Sequence, residues 1–296
     1  MRKMAPDMSD AQKAFRVGLV QMCAGRDVGK NIATATELIR AAARGGAAYV
    51  QTPEMTNIME LERPRLLAAV RPEESDPGVV QFRALAAELG IWLHLGSLAL
   101  EGAHGKPVNR SLLISPDGNI SARYDKIHMF DVDLGGGESY KESANYEPGR
   151  EAVVANLPWG QLGMTICYDL RFPHLHRALA KAGARFIAVP AAFTKPTGLA
   201  HWHTLLRARA IECQCYVFAA AQGGRHENGR ETFGHSLVIS PWGEVLAEAD
   251  VQPAVTFADV ELQRLDDVRR QVPSLRHDRP FDVVYAADTP PKEVAS

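Results

Sequence analysis

The chain has 296 residues, 46% of them hydrophobic, with 33 basic against 35 acidic side chains and a net charge of −2. That is enough apolar material for one large α/β domain or two smaller ones. The balanced charge excludes the basic stripe of a nucleic-acid binder, and no apolar run reaches the length of a membrane span. Residues 1–13 are polar and lack the apolar stretch of a secretory signal. The four cysteines, Cys23, Cys167, Cys213 and Cys215, therefore read as reduced thiols in a cytoplasmic protein.

In chain order, the pattern predicts a strand over 17–23 and a helix over 31–44. Ile32, Ala35, Leu38, Ile39 and Ala42 share one face of that helix, and Gly45-Gly46 stops it. A strand over 47–53 ends at Glu54. A helix over 79–89 stops at Gly90, and a strand follows over 91–100. Two hairpin-like runs, 108–114 and 119–125, flank the turn Ser115-Pro-Asp-Gly118. Residues 126–150 are irregular and include Gly135-Gly-Gly137; a loop that long in a compact protein is usually functional or mobile.

The run 161–167 reads as a short apolar strand ending on Cys167, followed by a turn and a helix over 174–182. A buried strand over 185–191 and a helix over 200–213 come next. Strands over 216–221, 235–240, 244–249 and 254–260 and a helix over 261–272 complete the pattern. Strand–helix–strand at the start and in the middle, with hairpins between, indicates an α/β fold with a mixed sheet or two sheets. The expected division is a flexible arm over 1–14, one domain over 15–272 and a tail over 273–296 that packs on a partner subunit.

Cys167 stands out because a cysteine on a strand-to-helix turn has helix-start N–H groups nearby. Such groups favour a thiolate or a tetrahedral oxyanion. A cysteine nucleophile also needs a base and oxyanion donors. Glu54, Lys126 and Cys167 each end a predicted strand, so strands sharing one direction would gather them at one sheet edge. There the carboxylate can take the thiol proton, the ammonium can hold an oxyanion, and the Tyr168 N–H is the natural second donor. Each has a plainer reading: Glu54 as an acid beside a helix start, Lys126 as a solvated loop residue. His174-Leu-His176 and His201-Trp-His203 look like metal pairs, but no third ligand stands at a recognisable spacing and no HExxH is present, so no metal or other cofactor is expected.

Thr52-Pro-Glu54, Tyr124-Asp-Lys-Ile-His-Met-Phe130 and Ile166-Cys-Tyr-Asp-Leu-Arg-Phe-Pro173 resemble, in order and spacing, the three signature blocks of the nitrilase (carbon–nitrogen hydrolase) superfamily. Glu142-Ser143 ahead of Glu147-Pro-Gly149, Val189-Pro-Ala-Ala-Phe193 and Gly198-Leu-Ala-His-Trp202 are similar too. The resemblance implies a four-layer α-β-β-α sandwich that pairs as a homodimer through helices near the nucleophile. It implies Glu54 as general base, Lys126 as oxyanion donor, Cys167 as nucleophile and Glu142 as an additional acid that positions substrate or water.

The stretch 202–224 and Tyr168-Asp-Leu-Arg-Phe172 are similar to the Nit branch, most of all to its members that hydrolyse the amide of deaminated glutathione. The implied substrate is thus a small acidic amide cleaved through a thioester. ω-Amidase action on 2-oxoglutaramate or 2-oxosuccinamate is the first alternative and N-carbamoyl hydrolysis the second. His203, where relatives commonly carry Glu, and the extra glycine at Gly135-Gly-Gly137 depart from the pattern.

Phe130, Phe193, Thr194, Lys195, His201 and Trp202 are the candidates for the pocket wall, with Thr197 from the same loop. Arg207, Arg209, Arg225 and Lys195 are the candidate receptors for a substrate carboxylate. The structural reading is favoured for Arg207, Arg209 and Arg171, since helix charges are usually ion-paired or solvated. From other classes, a metal-dependent hydrolase built on the His-X-His pairs and a non-catalytic scaffold compete. The complete set Glu54, Lys126, Glu142 and Cys167 argues against the scaffold.

Overall fold

Strands that alternate in burial, and helices with one apolar stripe, must stack face to face to bury what they share. The computed structural model describes residues 13–135 and 138–284. The expected arm over 1–14 thus lies largely outside the described residues, as do the second half of the tail, 285–296, and two glycines of the triplet.

The first sheet has the order β16-β1-β2-β3-β4-β5. It comprises β1 (Ala14–Gln21), β2 (Tyr49–Gln51), β3 (Trp92–Glu101), β4 (Pro107–Ile114), β5 (Ile120–Asp125) and β16 (Ala254–Glu261). The second has the order β15-β14-β11-β10-β9-β8. It comprises β8 (Val153–Leu157), β9 (Gly160–Met164), β10 (Ala184–Ala188), β11 (Tyr216–Ala219), β14 (Leu237–Ile239) and β15 (Val245–Glu248). In each sheet three parallel strands, β1-β2-β3 or β9-β10-β11, are flanked by antiparallel neighbours. Two small ribbons, β6 (Asp131–Asp133) with β7 (Ser139–Lys141) and β12 (Gly223–Arg225) with β13 (Glu231–Phe233), rise from the loops.

The inner faces of the sheets meet in one core. Phe15, Val17, Leu19 and Tyr49 from the first pack with Leu162, Met164, Phe186 and Phe218 from the second. The Phe15 ring stands edge-on to Phe186 at 5.4 Å, and Tyr49 meets Phe218 at 5.4 Å. Helices α1 (Val28–Arg44) and α3 (Pro77–Leu89) cover the outer face of the first sheet through Ile32, Ala35, Ile39, Phe82 and Leu85. Helices α4 (Pro173–Lys181) and α5 (Lys195–Cys213) cover the second through Leu175, Leu179, Trp202, Leu206 and Ala210. The result is the four-layer α-β-β-α sandwich of nitrilase type. Two further helices, α2 (Arg63–Ala69) and α6 (Leu262–Gln271), complete the described set.

Boundaries differ from the pattern where capping decides them. Asp27 Oδ1 accepts from the Lys30 N–H and starts α1 three residues early, and Asp76 caps α3 at Gly78 and Val79. Pro196 sits in the first turn of α5, where a missing N–H costs nothing, so that helix begins at Lys195 rather than 200. Helix α2 was not predicted because it buries only Leu66.

Candidate active site

Glu54, Lys126 and Cys167 do converge, but not on one sheet edge. Glu54 follows β2 and Lys126 follows β5, both in the first sheet, whereas Cys167 follows β9 in the second. The site is therefore formed where two sheets face each other, which corrects the expectation of a shared edge. Their close approach depends on Gly96 in β3: a Cβ there would stand 2.0 Å from the Thr52 oxygen and 2.5 Å from Pro190 Cβ of the opposite half.

Cys167 opens a 3-10 turn, Cys167–Arg171, and has φ +48, a left-handed conformation costly for a residue with a Cβ. Its N–H donates to the Pro190 oxygen at 2.9 Å. Tyr168 is the next residue of that turn, so its N–H is among those a turn leaves without an internal acceptor. Asp169 locks the turn: Oδ2 accepts from the Ile166 N–H at 2.8 Å and from the Tyr124 hydroxyl at 2.6 Å. Asp169 Oδ1 meets His128 Nδ1 at 2.6 Å. The first and second sheets are thus tied at the nucleophile by a buried carboxylate.

Glu54 is buried and fully engaged. Its Oε1 accepts from Lys126 Nζ at 2.9 Å and Asn109 Nδ2 at 2.9 Å, and its Oε2 accepts from the Ala192 N–H at 2.8 Å. Glu54 and Cys167 both border the same cavity, and the Glu54 charge acts on the Cys167 thiol. Gln222 Nε2 donates to the Glu54 backbone oxygen at 2.9 Å. Lys126 Nζ reaches Glu142 Oε2 at 2.8 Å and Oε1 at 3.0 Å. Glu142 is held in turn by the Phe130 N–H at 2.7 Å and by Asn109 Nδ2 at 3.2 Å. Gly149 pins Lys126, donating to its backbone oxygen at 2.8 Å.

The protonation states follow from this packing. Burial pushes the Glu54 carboxyl up, but the Lys126 charge and the hydrogen bonds outweigh it and leave the group below its ordinary value. Burial would lower Lys126, yet Glu142 and Glu54 more than reverse that and hold the ammonium well above its usual range. Burial first, and the Glu54 charge second, push the Cys167 thiol well above its ordinary value. The resting site is a thiol beside a carboxylate that an ammonium keeps ionised.

A cavity of about 230 Å³ opens over these groups, walled by Phe130, Tyr140, Glu142, Tyr146, Tyr168, Phe193, Thr194, Thr197 and Arg230. A shallower recess of about 710 Å³ adjoins it, with Tyr140 and Arg230 common to both and Lys195 on its far wall. His201 and Trp202 do not line either space. His201 Nδ1 faces Arg171 at 3.3 Å near the surface, and Trp202 is fully buried behind Phe193, ring centroids 5.0 Å apart.

Among the proposed cation receptors, Arg209 is spent on the Leu170 oxygen and Glu212, and Arg207 on the Gly243 oxygen. Arg225 is exposed on β12 and lines neither space. Arg171 lies over the Phe193 ring at 5.4 Å. The pattern missed Arg230, which stands 5.0 Å over the Tyr140 ring, donates to the Ala192 oxygen at 2.5 Å and keeps a buried Nε without a partner. It also missed Asn109, whose place inside a buried strand was the one available signal.

A two-sheet sandwich carrying a carboxylate–ammonium–thiol cluster defines a class. The chain belongs to the carbon–nitrogen hydrolase family, whose model matches residues 16–270, and is an enzyme of carbon–nitrogen bond hydrolysis. Within that family it is similar to the deaminated glutathione amidase of Yersinia enterocolitica, 40% identical over 274 residues, with 90% of this chain and 94% of that protein covered. The Caenorhabditis elegans NitFhit protein superposes with a TM-score of 0.84 at 37% identity, covering 90% of this chain and 65% of that one. A variant of the amidase from Nesterenkonia sp. AN1, with the acetamide moiety of fluoroacetamide added covalently at its active-site cysteine, superposes with a TM-score of 0.75 at 26% identity, covering 90% and 98%.

Proposed function

We propose that the chain is a cysteine amidase that hydrolyses deaminated glutathione to 2-oxoglutarate and Cys-Gly. The observation that carries the mechanism is the buried Glu54 carboxylate, which accepts from the Lys126 ammonium at 2.9 Å and borders the same cavity as Cys167. Because the thiol is held protonated, attack needs a base, and Glu54 is the ionised carboxylate whose charge acts on it.

Cys167 Sγ adds to the amide carbon as its proton passes to Glu54. The C–N bond then breaks, and Glu54 returns the proton to the leaving amine, giving a thioester. Water attacks the thioester with Glu54 again as base, the C–S bond breaks, and Glu54 returns the proton to the departing sulfur, so that the acid and the free thiol are released. Lys126 has three N–H groups: one serves Glu54, and one shared between the two Glu142 oxygens leaves the third for the oxyanion. The Tyr168 N–H supplies the second donor. Glu142 keeps the ammonium oriented and borders the space where the attacking water enters.

The two adjoining spaces support a substrate with two parts. The inner cavity suits the 2-oxo acyl group and the outer recess the dipeptide. Arg230, at their junction, is the carboxylate receptor, and Lys195, paired with Glu231 at 3.3 Å, flanks the dipeptide end. The reading extends to a cytoplasmic homodimer. The exposed Ile211 on α5 and Trp242 beside it offer an apolar patch for pairing. Among the described residues no helix is long and apolar enough to cross a membrane.

The test is 2-oxoglutarate release from deaminated glutathione and from 2-oxoglutaramate, compared as kcat/KM on one preparation. Preference for the first is expected. Preference for the second would make the chain an ω-amidase with the same catalytic groups.

A further inference from the structure

Three side chains from separate elements converge outside the cavity. His203 lies on α5, His235 follows β13 and Glu248 ends β15. His203 Nε2 and His235 Nδ1 stand 2.9 and 2.7 Å from the same oxygen, Glu248 Oε1. One potential ligand atom from each lies within 4.8 Å of the others. An ionised carboxylate only accepts, so both nitrogens bear protons in this arrangement. Two imidazole N–H groups aimed at one oxygen is a geometry in which a single cation can take the place of both protons.

The rings are fixed before any ligand arrives. Phe233 stacks on His235 at 4.3 Å and stands edge-on to His203 at 6.0 Å. The His235 backbone is clamped on both sides: its oxygen accepts from Trp202 Nε1 at 2.8 Å, and its N–H donates to the Asp250 oxygen at 3.1 Å. His235 also has φ +52. Among the described residues the other non-glycine positions with positive φ are Met55, Cys167 and Gln214; two of these adjoin the amidase groups and the third caps α5. Such strain persists where the surroundings impose it. The His203, His235 and Glu248 side chains keep 38%, 25% and 35% of their surface open, so a hydrated ion can reach them.

We propose that His203, His235 and Glu248 bind one divalent cation of the zinc type, with water as fourth ligand, and that this ion clamps α5 to the edge of the second sheet. Two imidazoles and one carboxylate suit zinc and its late first-row neighbours rather than calcium or magnesium, which favour all-oxygen sets. A tetrahedral ion with bonds of about 2.0–2.2 Å separates its ligands by about 3.3 Å. The two N–O contacts need therefore open by about half an ångström, while the two ring nitrogens, within 4.8 Å of each other, settle to the same separation. The displaced ring protons move to His203 Nδ1 and His235 Nε2, so neutral imidazoles keep their protons. The clamp lies next to the amidase wall, since Trp202, which holds the His235 carbonyl, packs on Phe193.

Zinc(II) alone is the probe, titrated by calorimetry into full-length Cys167→Ser, which removes the competitor thiol at the cavity, and into the same chain with His203→Gln or Glu248→Gln added. One zinc ion per chain is expected in the parent, with a Tm rise on the order of 5 °C at about a hundredfold excess over Kd. Both responses should vanish with His203→Gln and weaken with Glu248→Gln. Equal zinc binding by the His203→Gln chain, or none by the folded parent, overturns the proposal. Anomalous diffraction at the zinc edge from the parent gives a readout that does not depend on a variant folding. Density between the two rings supports the site, and density only elsewhere overturns it.

Discussion

The two sheets repeat one strand plan, β16-β1-β2-β3-β4-β5 against β8-β9-β10-β11-β14-β15, yet they carry different chemistry. The first supplies the base and its cation, Glu54 after β2 and Lys126 after β5, with Asn109 on β4 bridging Glu54 and Glu142. The second supplies the nucleophile on a left-handed turn. The base and its cation are thus organised on one layer and the reacting sulfur on the other. The packing of the layers, through the Gly96–Pro190 approach and the Tyr124–Asp169 bond, sets the distance between base and thiol. Relaxing a loop within one sheet does not reproduce that arrangement, because the two partners move with different layers.

Separating the layers chemically gives the largest effects. Cys167→Ala leaves the charged layer intact and is expected to lower kcat by at least about 10⁴, since members of a catalytic unit fail together; turnover assays of purified, folded variant check this. Lys126→Ala strikes the other layer. Loss of an oxyanion donor costs about 10²–10³ in kcat, and two buried carboxylates left without their cation cost about 3–5 kcal/mol in urea unfolding. A Lys126→Ala chain as stable as the parent would mean that the carboxylates are not held ionised.

Gly96→Ala tests the spacing itself. Its Cβ would meet the Thr52 oxygen and Pro190, so the layers must part, costing about 1–3 kcal/mol of stability and a larger share of kcat than of KM. Arg230→Ala, which touches neither base nor thiol, should raise KM for acidic amides about tenfold or more while sparing kcat, with neutral amides unaffected. A buried charge-assisted contact is worth about 1.5–3 kcal/mol.

The pH response is the mildest probe. Glu54 is depressed in the folded chain, so its contribution to stability is present above the unfolded carboxyl value, about 4.3, and is lost as pH falls through the lower folded value. The acid limb of kcat/KM should accordingly lie below about 4.3. Cys167 has the opposite sign: its raised thiol stabilises the fold below the unfolded value, about 8.5, and that contribution fades as pH rises through the folded value.

Much of this was legible in the chain. Glu54, Lys126 and Cys167 each sit at the end of a predicted strand, and the three blocks around them resemble one family closely enough to give the sandwich and Glu142. What could not be read was which sheet each strand joins, since strand patterns carry no record of partner. The shared-edge expectation failed for that reason. Arg230 was invisible because its ribbon tip reaches the cavity only through tertiary packing, while Arg207 and Arg209 were drawn into structural bonds by their helix. His235 and Glu248 likewise have no spacing that links them to His203, and His201, its partner in the sequence pair, is not part of that cluster.

The most direct measurement is partitioning by hydroxylamine during turnover of deaminated glutathione and of 2-oxoglutaramate. A common thioester on Cys167 predicts one ratio of hydroxamate to acid for both substrates, because the leaving amine has departed before the choice is made. A ratio that changes with the leaving group, or hydrolysis of both without any hydroxamate, would contradict covalent capture by Cys167.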